Sequence, residues 1–550
     1  MNQHFKLLIA FSSLWTLPAI ADTAIHNVVA FTPTNDGIHE FSVLVFDDSG
    51  RVVSTGDESL LDAIPEHNRI DGGGGFLLPG LIDAHAHMYS QGLLAISLDL
   101  GGVPSLDAAV QRIDEYAKQR RAGWVLGRGW NQVLWPVREF PHAADIDAVV
   151  TERPVWLRRI DGHAGWANSR ALKIAGIDDQ TPDPVGGKII RDTNGHASGV
   201  LVDMAMALVE KHVPVPDKSD IREAYLLAID ALLALGLTGV HDAGINKTEA
   251  EVYLSMADNH ELDMRIYAML SDAGPNLAAF QAPIRRYGDD RLDIAAVKLY
   301  ADGALGSRGA ALLDPYDDDG ENSGLPFWTQ EQLDGFVRIA NAKGFQVGIH
   351  AIGDLGNRMA LDAFERIQGG KPSPLRNRIE HAQIIALDDI PRFAELGVIA
   401  AMQPTHATSD MNMAEDRIGS QRIQGGYAWR RLLDSGAVIA SGSDFPVELP
   451  NPFHGLHAAV ARQDRSDLPD GGWYRDQAMT RAEALHSFTL AAAYSAHQEE
   501  RLGSLEPGKW ADFIVVDRDF FTIPLSQIDD IQVRQTWVGG KLVYDAAATE

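Results

Sequence analysis

The chain has 550 residues, 45% of them hydrophobic, and a formal net charge of −29. That length supports a large core and exceeds one ordinary domain, and the acidity excludes nucleic acid, whose phosphates require a basic face. There is no cysteine, which excludes thiol nucleophiles, thiolate zinc sites and disulfides and leaves any metal to histidine, carboxylate or modified lysine.

Residues 1–21 carry one lysine, then an apolar run broken by Pro18, then the small-x-small pattern Ala19-Ile20-Ala21. They are expected to be a signal peptide cleaved before Asp22, with an uncleaved anchor as the alternative. No cysteine follows the cleavage site, which argues against a lipoprotein, and no later segment reads as membrane-spanning. The mature protein would be exported: periplasmic in a Gram-negative bacterium, otherwise secreted. Residues 22–75 read as short strands and turns, with "DDSG" as a hairpin signal. Residues 496–550 have the same character, and "VGGK" again reads as a hairpin turn. The two ends are expected to pair as one small β-sandwich domain. The "DGGGG" run invites a phosphate-loop reading, but no Gly-Lys-Ser/Thr follows it. It is expected to be the tight crossing into the next domain.

Residues 76–495 alternate buried strands with helical stretches. The strands are "GFLLPGLIDAHAH", "GLTGVHDAG", "LDMRIYAML", "IAAVKLYADG", "GFQVGIHAIG", "RNRIEHAQI", "GVIAAMQPTH" and "GAVIASGSDFP". Between the fourth and fifth, "TQEQLDGFVRIANAKG" reads as a helix capped by Thr329 and stopped at Gly344. Eight such strands predict an α/β fold, a (β/α)8 TIM barrel. The connection from the first strand to the second is far longer than a usual βα link. It is expected to hold an inserted subdomain at about 105–225, including a hairpin turning at Asn194-Gly195.

The strand ends carry the chemistry. His85 and His87 end the first strand, two residues apart and hence on one side. Lys298 lies in the fourth strand, His350 in the fifth, His381 in the sixth and Asp444 in the eighth. In a barrel these ends converge on one mouth, where active sites lie. A lone strand histidine is usually a core or surface residue, Lys298 could form a structural ion pair, and Asp444 could cap a helix. The joint placement points instead to a metal site. His241 and His406 also stand near strand ends and are set aside as substrate-side or supporting groups.

"PGLIDAHAH" and the order HxH, Lys, His, His, Asp resemble the amidohydrolase superfamily. The long insert, "GRGW", "DGHAGWANSRAL", "VKLYADGALGSRGAAL" and "HAIGD" resemble its YtcJ-like branch, which includes N-substituted formamide deformylases. The resemblance covers nearly all of the mature chain, and "GSLEPGKWADFIVVDRD" matches the superfamily's usual return to the β domain. It implies a binuclear site. His85, His87 and Asp444 would hold one divalent metal, and His350 and His381 the other. Lys298, carbamylated by carbon dioxide, would bridge them. Zinc suits these ligands best, with manganese or iron as alternatives. The cations would lower the pKa of a water toward about 7, and the resulting hydroxide would attack a carbonyl carbon. Asp444 would act as general base and then acid toward the leaving nitrogen.

Trp130 and His163, in the insert, are the candidate substrate contacts. The partner is a small-molecule substrate; a homodimer is allowed by the sequence and not required by it. The reading is a metal-dependent hydrolase of C–N bonds other than peptide bonds. An ester, lactone or phosphotriester hydrolase would use the same metal pair. A deaminase fits less well, because "HAIGDLGN" lacks the glutamate that follows the fifth strand in deaminases of this fold. From another class, a catalytically silent binding protein is opposed by the complete ligand set.

Overall fold

The computed structural model describes residues 22–548 apart from 35, 120–122, 161, 163 and 185. The signal-peptide reading and His163 therefore lie outside the described residues. Among the described residues no helix is long and apolar enough to cross a membrane. The chain forms two compact units. One comprises residues through Ala86, Leu232–Asn246 and Leu262 onward; the other comprises His87–Ala231 and Lys247–Glu261.

The first unit contains the barrel. Its strands are β1 (Leu81–Ala86), β2 (Leu237–Ile245), β3 (Arg265–Leu270), β4 (Leu292–Tyr300), β5 (Gln346–Ala351), β6 (Arg378–His381), β7 (Ile399–Met402) and β8 (Ile439–Ser441). Each pairs in parallel with the next. All eight lie where the apolar runs predict, because a strand covered on both faces reads as a continuous hydrophobic stretch. The predicted helix after β4 is Gln330–Ala342, with a capping box between Thr329 and Gln332.

The sheet is a nearly closed barrel. No ladder joins β8 to β1; side chains and single backbone bonds close that seam instead. Asp444 N–H donates to the His85 carbonyl at 2.8 Å. The Asp83 carboxylate accepts from the Ser443 amide and, at 2.6 Å, from the Ser443 hydroxyl. Gly442 permits this approach, since a Cβ there would stand 2.4 Å from Asp83 Oδ1 and 2.6 Å from His85 N. Burial pushes the Asp83 carboxyl up to about 7 against those hydrogen bonds.

The chain ends do pair: Arg69–Pro79 runs antiparallel to Phe513–Val516. Their strands form one eight-stranded sheet, however, rather than two stacked layers. Its edge folds over, with Val52 N–H donating to the Lys509 carbonyl and Gly508 N–H to the Val52 carbonyl, each at 2.8 Å. The curl wraps a core that includes Phe46, Phe513 and Trp537. The glycine run is also placed differently from the expectation. It lies inside the strand Arg69–Pro79, at a bulge opposite His26 and Val28. Gly73 and Gly74 supply the positive φ angles, 64° and 66°, that such a bulge needs.

The second unit begins at His87, well before the expected residue 105. Its six-stranded sheet includes the hairpin Gly187–Arg191 and Ala197–Asp203, turning at Gly195 with φ 89°.

Candidate metal centre

Five imidazoles and a carboxylate meet at the C-terminal end of the barrel. The His381 ring lies 4.8 Å from that of His85, 4.5 Å from that of His350 and 5.8 Å from that of His406. His85 Nε2 stands 3.7 Å from Asp444 Oδ1, and His406 Nε2 stands 3.7 Å from Asp444 Oδ2. Two groups of three potential ligand side chains converge here: His85, His87 and Asp444, and His381, His406 and Asp444. Within each set one ligand atom per residue lies within 4.8 Å of the others. His87 is one peptide bond beyond Ala86, so the strand end itself fixes its place.

His381 and Asp444 adopt left-handed φ angles, 74° and 63°. Non-glycine residues in that region cost about 1–3 kcal/mol each and cluster at functional sites. Glu380 and His381 are both buried although strand alternation sends adjacent side chains to opposite faces. The turn in backbone at His381 ends that alternation.

The second ring nitrogen of each histidine decides what the first can offer. His85 Nδ1 donates to Glu380 Oε2 at 2.5 Å. His381 Nδ1 donates to Gln403 Oε1 at 2.8 Å, and the Gln403 amide nitrogen is itself engaged by the Ala401 carbonyl. In both the remaining nitrogen carries the lone pair, as a metal-ligating imidazole requires. His350 Nε2 is buried and has no hydrogen-bond partner.

His241 and His406 are held the other way. Arg378 Nη1, which can only donate, stands 3.0 Å from His241 Nδ1. Gln383 Nε2 stands 3.0 Å from His406 Nδ1. Arg378 thus fixes the His241 proton on Nε2, and Gln383, with its amide nitrogen toward the ring, does the same for His406. His406 is nevertheless no bystander. The chain leaves β7 into the helix Pro404–Asp410, which places the ring against Asp444. It offers that site a hydrogen-bond donor rather than a lone pair.

Charge at the centre follows from burial. It lowers His350 to about 3, with the Lys298 charge adding to the effect. It also holds His381 well below the usual histidine range, helped by His350, His85 and Lys298. Both rings are thus neutral, which ligation demands. Lys298 is 1% exposed, and its Nζ lies 4.3 Å from the centre of the Tyr300 ring. No carboxylate among the described residues pairs with it, which removes the structural ion pair as its explanation. A buried, unpaired ammonium is costly, whereas a carbamate between two cations would be satisfied. The donor set thus fits divalent metal.

Several supporting residues were not anticipated. Glu380 is fully buried and paired with Arg378, whose Nε stands 2.5 Å from Glu380 Oε1. Arg378 also donates to the Ala84 carbonyl at 2.6 Å. Asp302 accepts from the amides of Ala311, Ile352 and Gly353, tying the long connection after β4 to the end of β5. The signal for Glu380 lay in "RIEH": two opposite charges at spacing two within an apolar strand.

The amidohydrolase family model matches residues 69–544. The chain belongs to the amidohydrolase family. It is 34% identical to the Arabidopsis thaliana protein LONG AFTER FAR-RED 3, covering 96% of this chain and 92% of that protein. It is 31% identical to YtcJ of Bacillus subtilis (strain 168), named as an amidohydrolase, over 94% of this chain and 99% of that one. It is 28% identical to N-substituted formamide deformylase of Arthrobacter pascens, over 93% and 96%. Among solved structures, an uncharacterized metal-dependent hydrolase from Pyrococcus horikoshii OT3 aligns with a TM-score of 0.78 at 27% identity, over 92% of this chain and 99% of that one. Membership in this family makes the chain a hydrolase of the YtcJ-like branch.

Trp130 does not have the surroundings of a substrate contact. It is fully buried in the second unit, and its indole N–H donates to the Leu157 carbonyl at 2.8 Å. Its ring packs against Trp135, Phe140 and Trp166 at 6.1–6.3 Å. This amidohydrolase uses it as core. Trp130→Ala should destabilise the second unit by about 3–5 kcal/mol while bound metal per folded chain stays constant. Chemical unfolding beside metal analysis checks this; a shift in substrate preference without loss of stability would return Trp130 to the substrate.

Proposed function

We propose that this protein is an exported, metal-dependent amidohydrolase that hydrolyses a C–N bond of amide type other than a peptide bond. The observation that carries the reading is the sorting of the histidines. The rings of His85 and His381 expose lone pairs, His350 Nε2 is buried without a partner and Lys298 is buried with no carboxylate beside it, whereas Nδ1 of His241 and His406 is taken by Arg378 and Gln383. The names of the deformylase and the metal-dependent hydrolase among its relatives support the same reading. The apolar run and small-x-small pattern of residues 1–21 support export.

His85, His87, His350, His381, Asp444 and a carbamylated Lys298 would hold two divalent cations, zinc by preference of the ligands. When bound, they supply Lewis acidity to a water and to the substrate carbonyl. The protein's own groups do the rest. Asp444, facing the centre through both oxygens, takes the proton from the water and returns it to the leaving nitrogen. His406 donates Nε2–H toward oxygen that becomes negative during attack. Glu380 and Gln403 keep His85 and His381 in the ligating tautomer.

The test is metal analysis of the purified protein beside turnover on parallel panels of amides and esters. Amide hydrolysis that chelation abolishes and zinc restores is expected. A metal-loaded protein that turns over esters alone, or nothing, rejects the reading. Lys298 has its own test. Protein equilibrated with 13C-bicarbonate should show a carbamate carbonyl resonance that Lys298→Met lacks. A free ammonium with metal bound would sink the bridging role.

A further inference from the structure

A cleft of about 640 Å³ opens beside Lys298, within the first unit. That volume falls within the ~300–1,000 Å³ typical of small-molecule sites. Tyr300, at the end of β4, forms one wall, and Pro275, in the connection after β3, another. Phe327 and Trp328 come from the long connection after β4, and Phe336 from the helix that follows it. The Phe327 amide donates to the Ala301 carbonyl at 2.8 Å, which pins the aromatic pair to the strand end. Trp328 meets Phe336 edge to face at 5.0 Å.

Apart from Lys298, the polar side chains along the cleft, Ser271 and Asp272, are engaged by their own loop. Asp272 Oδ1 accepts from the Gly274 and Asn276 amides, Asp272 Oδ2 from the Asn276 side chain, and Ser271 Oγ from that same side chain. They have little left for a ligand. Phe327 is 50% and Trp328 38% exposed. Two adjacent aromatics held open to water forgo a large burial gain, a pattern that marks binding surface. The cleft ends at the metal-bridging candidate, since Lys298 lines it and its Nζ lies over the Tyr300 ring.

We propose that this cleft binds an aryl or bulky branched-alkyl substituent of the substrate, so that the substrate class is an amide carrying such a group next to the scissile bond. This rests on the amidohydrolase reading of the neighbouring centre. It places substrate choice at Phe327 and Trp328 in the connection after β4, two residues outside the motifs quoted above.

The zinc-loaded enzyme is assayed on acetamide, N-methylacetamide, N-benzylacetamide and phenylacetamide. Binding of 1-phenylethanol, which has no bond to hydrolyse, is measured in parallel by calorimetry. At least one benzyl-bearing amide should exceed its small counterpart by about 10-fold or more in kcat/KM, the scale expected for burying a ring. Phe327→Ala/Trp328→Ala should collapse that ratio and weaken 1-phenylethanol binding by a similar factor, with metal content held. Both residues are substantially exposed, and Phe327→Ala alone serves if the pair does not fold. A ratio and a probe affinity unchanged by these substitutions overturn the subsite. Probe binding that responds as expected, with no amide turned over, instead overturns the proposed reaction and leaves the subsite standing.

Discussion

Asp444→Asn should keep its fold and much of its metal and lose at least about two orders of magnitude in turnover, the lower end of what a positioned general acid–base group contributes. The carboxylate lies between a lone-pair ring and a donor ring, 3.7 Å from His85 Nε2 and 3.7 Å from His406 Nε2. Asparagine preserves the size and one oxygen. The turn that places it is held by the residue's own amide on the His85 carbonyl and by Asp83 on Ser443, none of which uses the side chain. What asparagine lacks is any site for the water's proton. Its amide N–H2 must also face either His406 Nε2–H, donor against donor, or a cation. Metal analysis and steady-state kinetics on the same preparation separate ligand from proton carrier. Turnover near the wild-type rate would make Asp444 a spectator. His241→Asn is the comparison for occupancy: its ring nitrogen is taken by Arg378, so it should retain its metal. A lost metal in that variant would show the ligands to be misassigned.

The sequence exposes this site unevenly. All eight barrel strands were legible, because burial on both faces writes itself as an uninterrupted apolar run. The candidate ligands stood out because each interrupts such a run near its end. Tautomers were not. The partner of His85 Nδ1 is Glu380, 295 positions away, and that of His381 Nδ1 is Gln403, just past the end of the next strand. No local pattern encodes either contact. His406 was set aside for the same reason: its spacing predicts a strand end, but the chain has already turned into a helix. Strand periodicity also predicts which faces are covered and not how strands pair. The terminal strands could thus be foreseen as partners, while their joining into one curled sheet could not. Trp130 misled because "GRGW" puts an aromatic beside two glycines at the end of a strand. The residues that bury it, Trp135, Phe140 and Trp166, are apolar partners any core would supply.

Glu380→Gln should be the most damaging isosteric change at the site, costing about 3–5 kcal/mol of stability, because it leaves a buried guanidinium without its counter-charge. Glu380 and Arg378 are both fully buried and meet at 2.5 Å and 2.9 Å. Arg378 continues to the Ala84 carbonyl and to His241, so the pair ties β6 to β1 and β2 through the barrel interior. A glutamine amide offers one acceptor where the carboxylate accepts from both Arg378 and His85. Its N–H2 must therefore oppose a donor on one side. If the acceptor is lost to His85, the ring is free to take the other tautomer, and metal affinity should fall by about 10–100-fold. The two effects separate in the double variant Arg378→Met/Glu380→Leu. Replacing a buried ion pair by apolar groups of similar volume is often neutral or better, so unfolding of the metal-free protein should recover most of the loss. Metal affinity should not recover, because His85 Nδ1 still lacks its acceptor. Urea unfolding without metal, beside zinc titration of the folded protein, reads the two quantities independently. Wild-type zinc affinity in the stable double variant would mean that Glu380 only balances charge and has no part in setting the ligand.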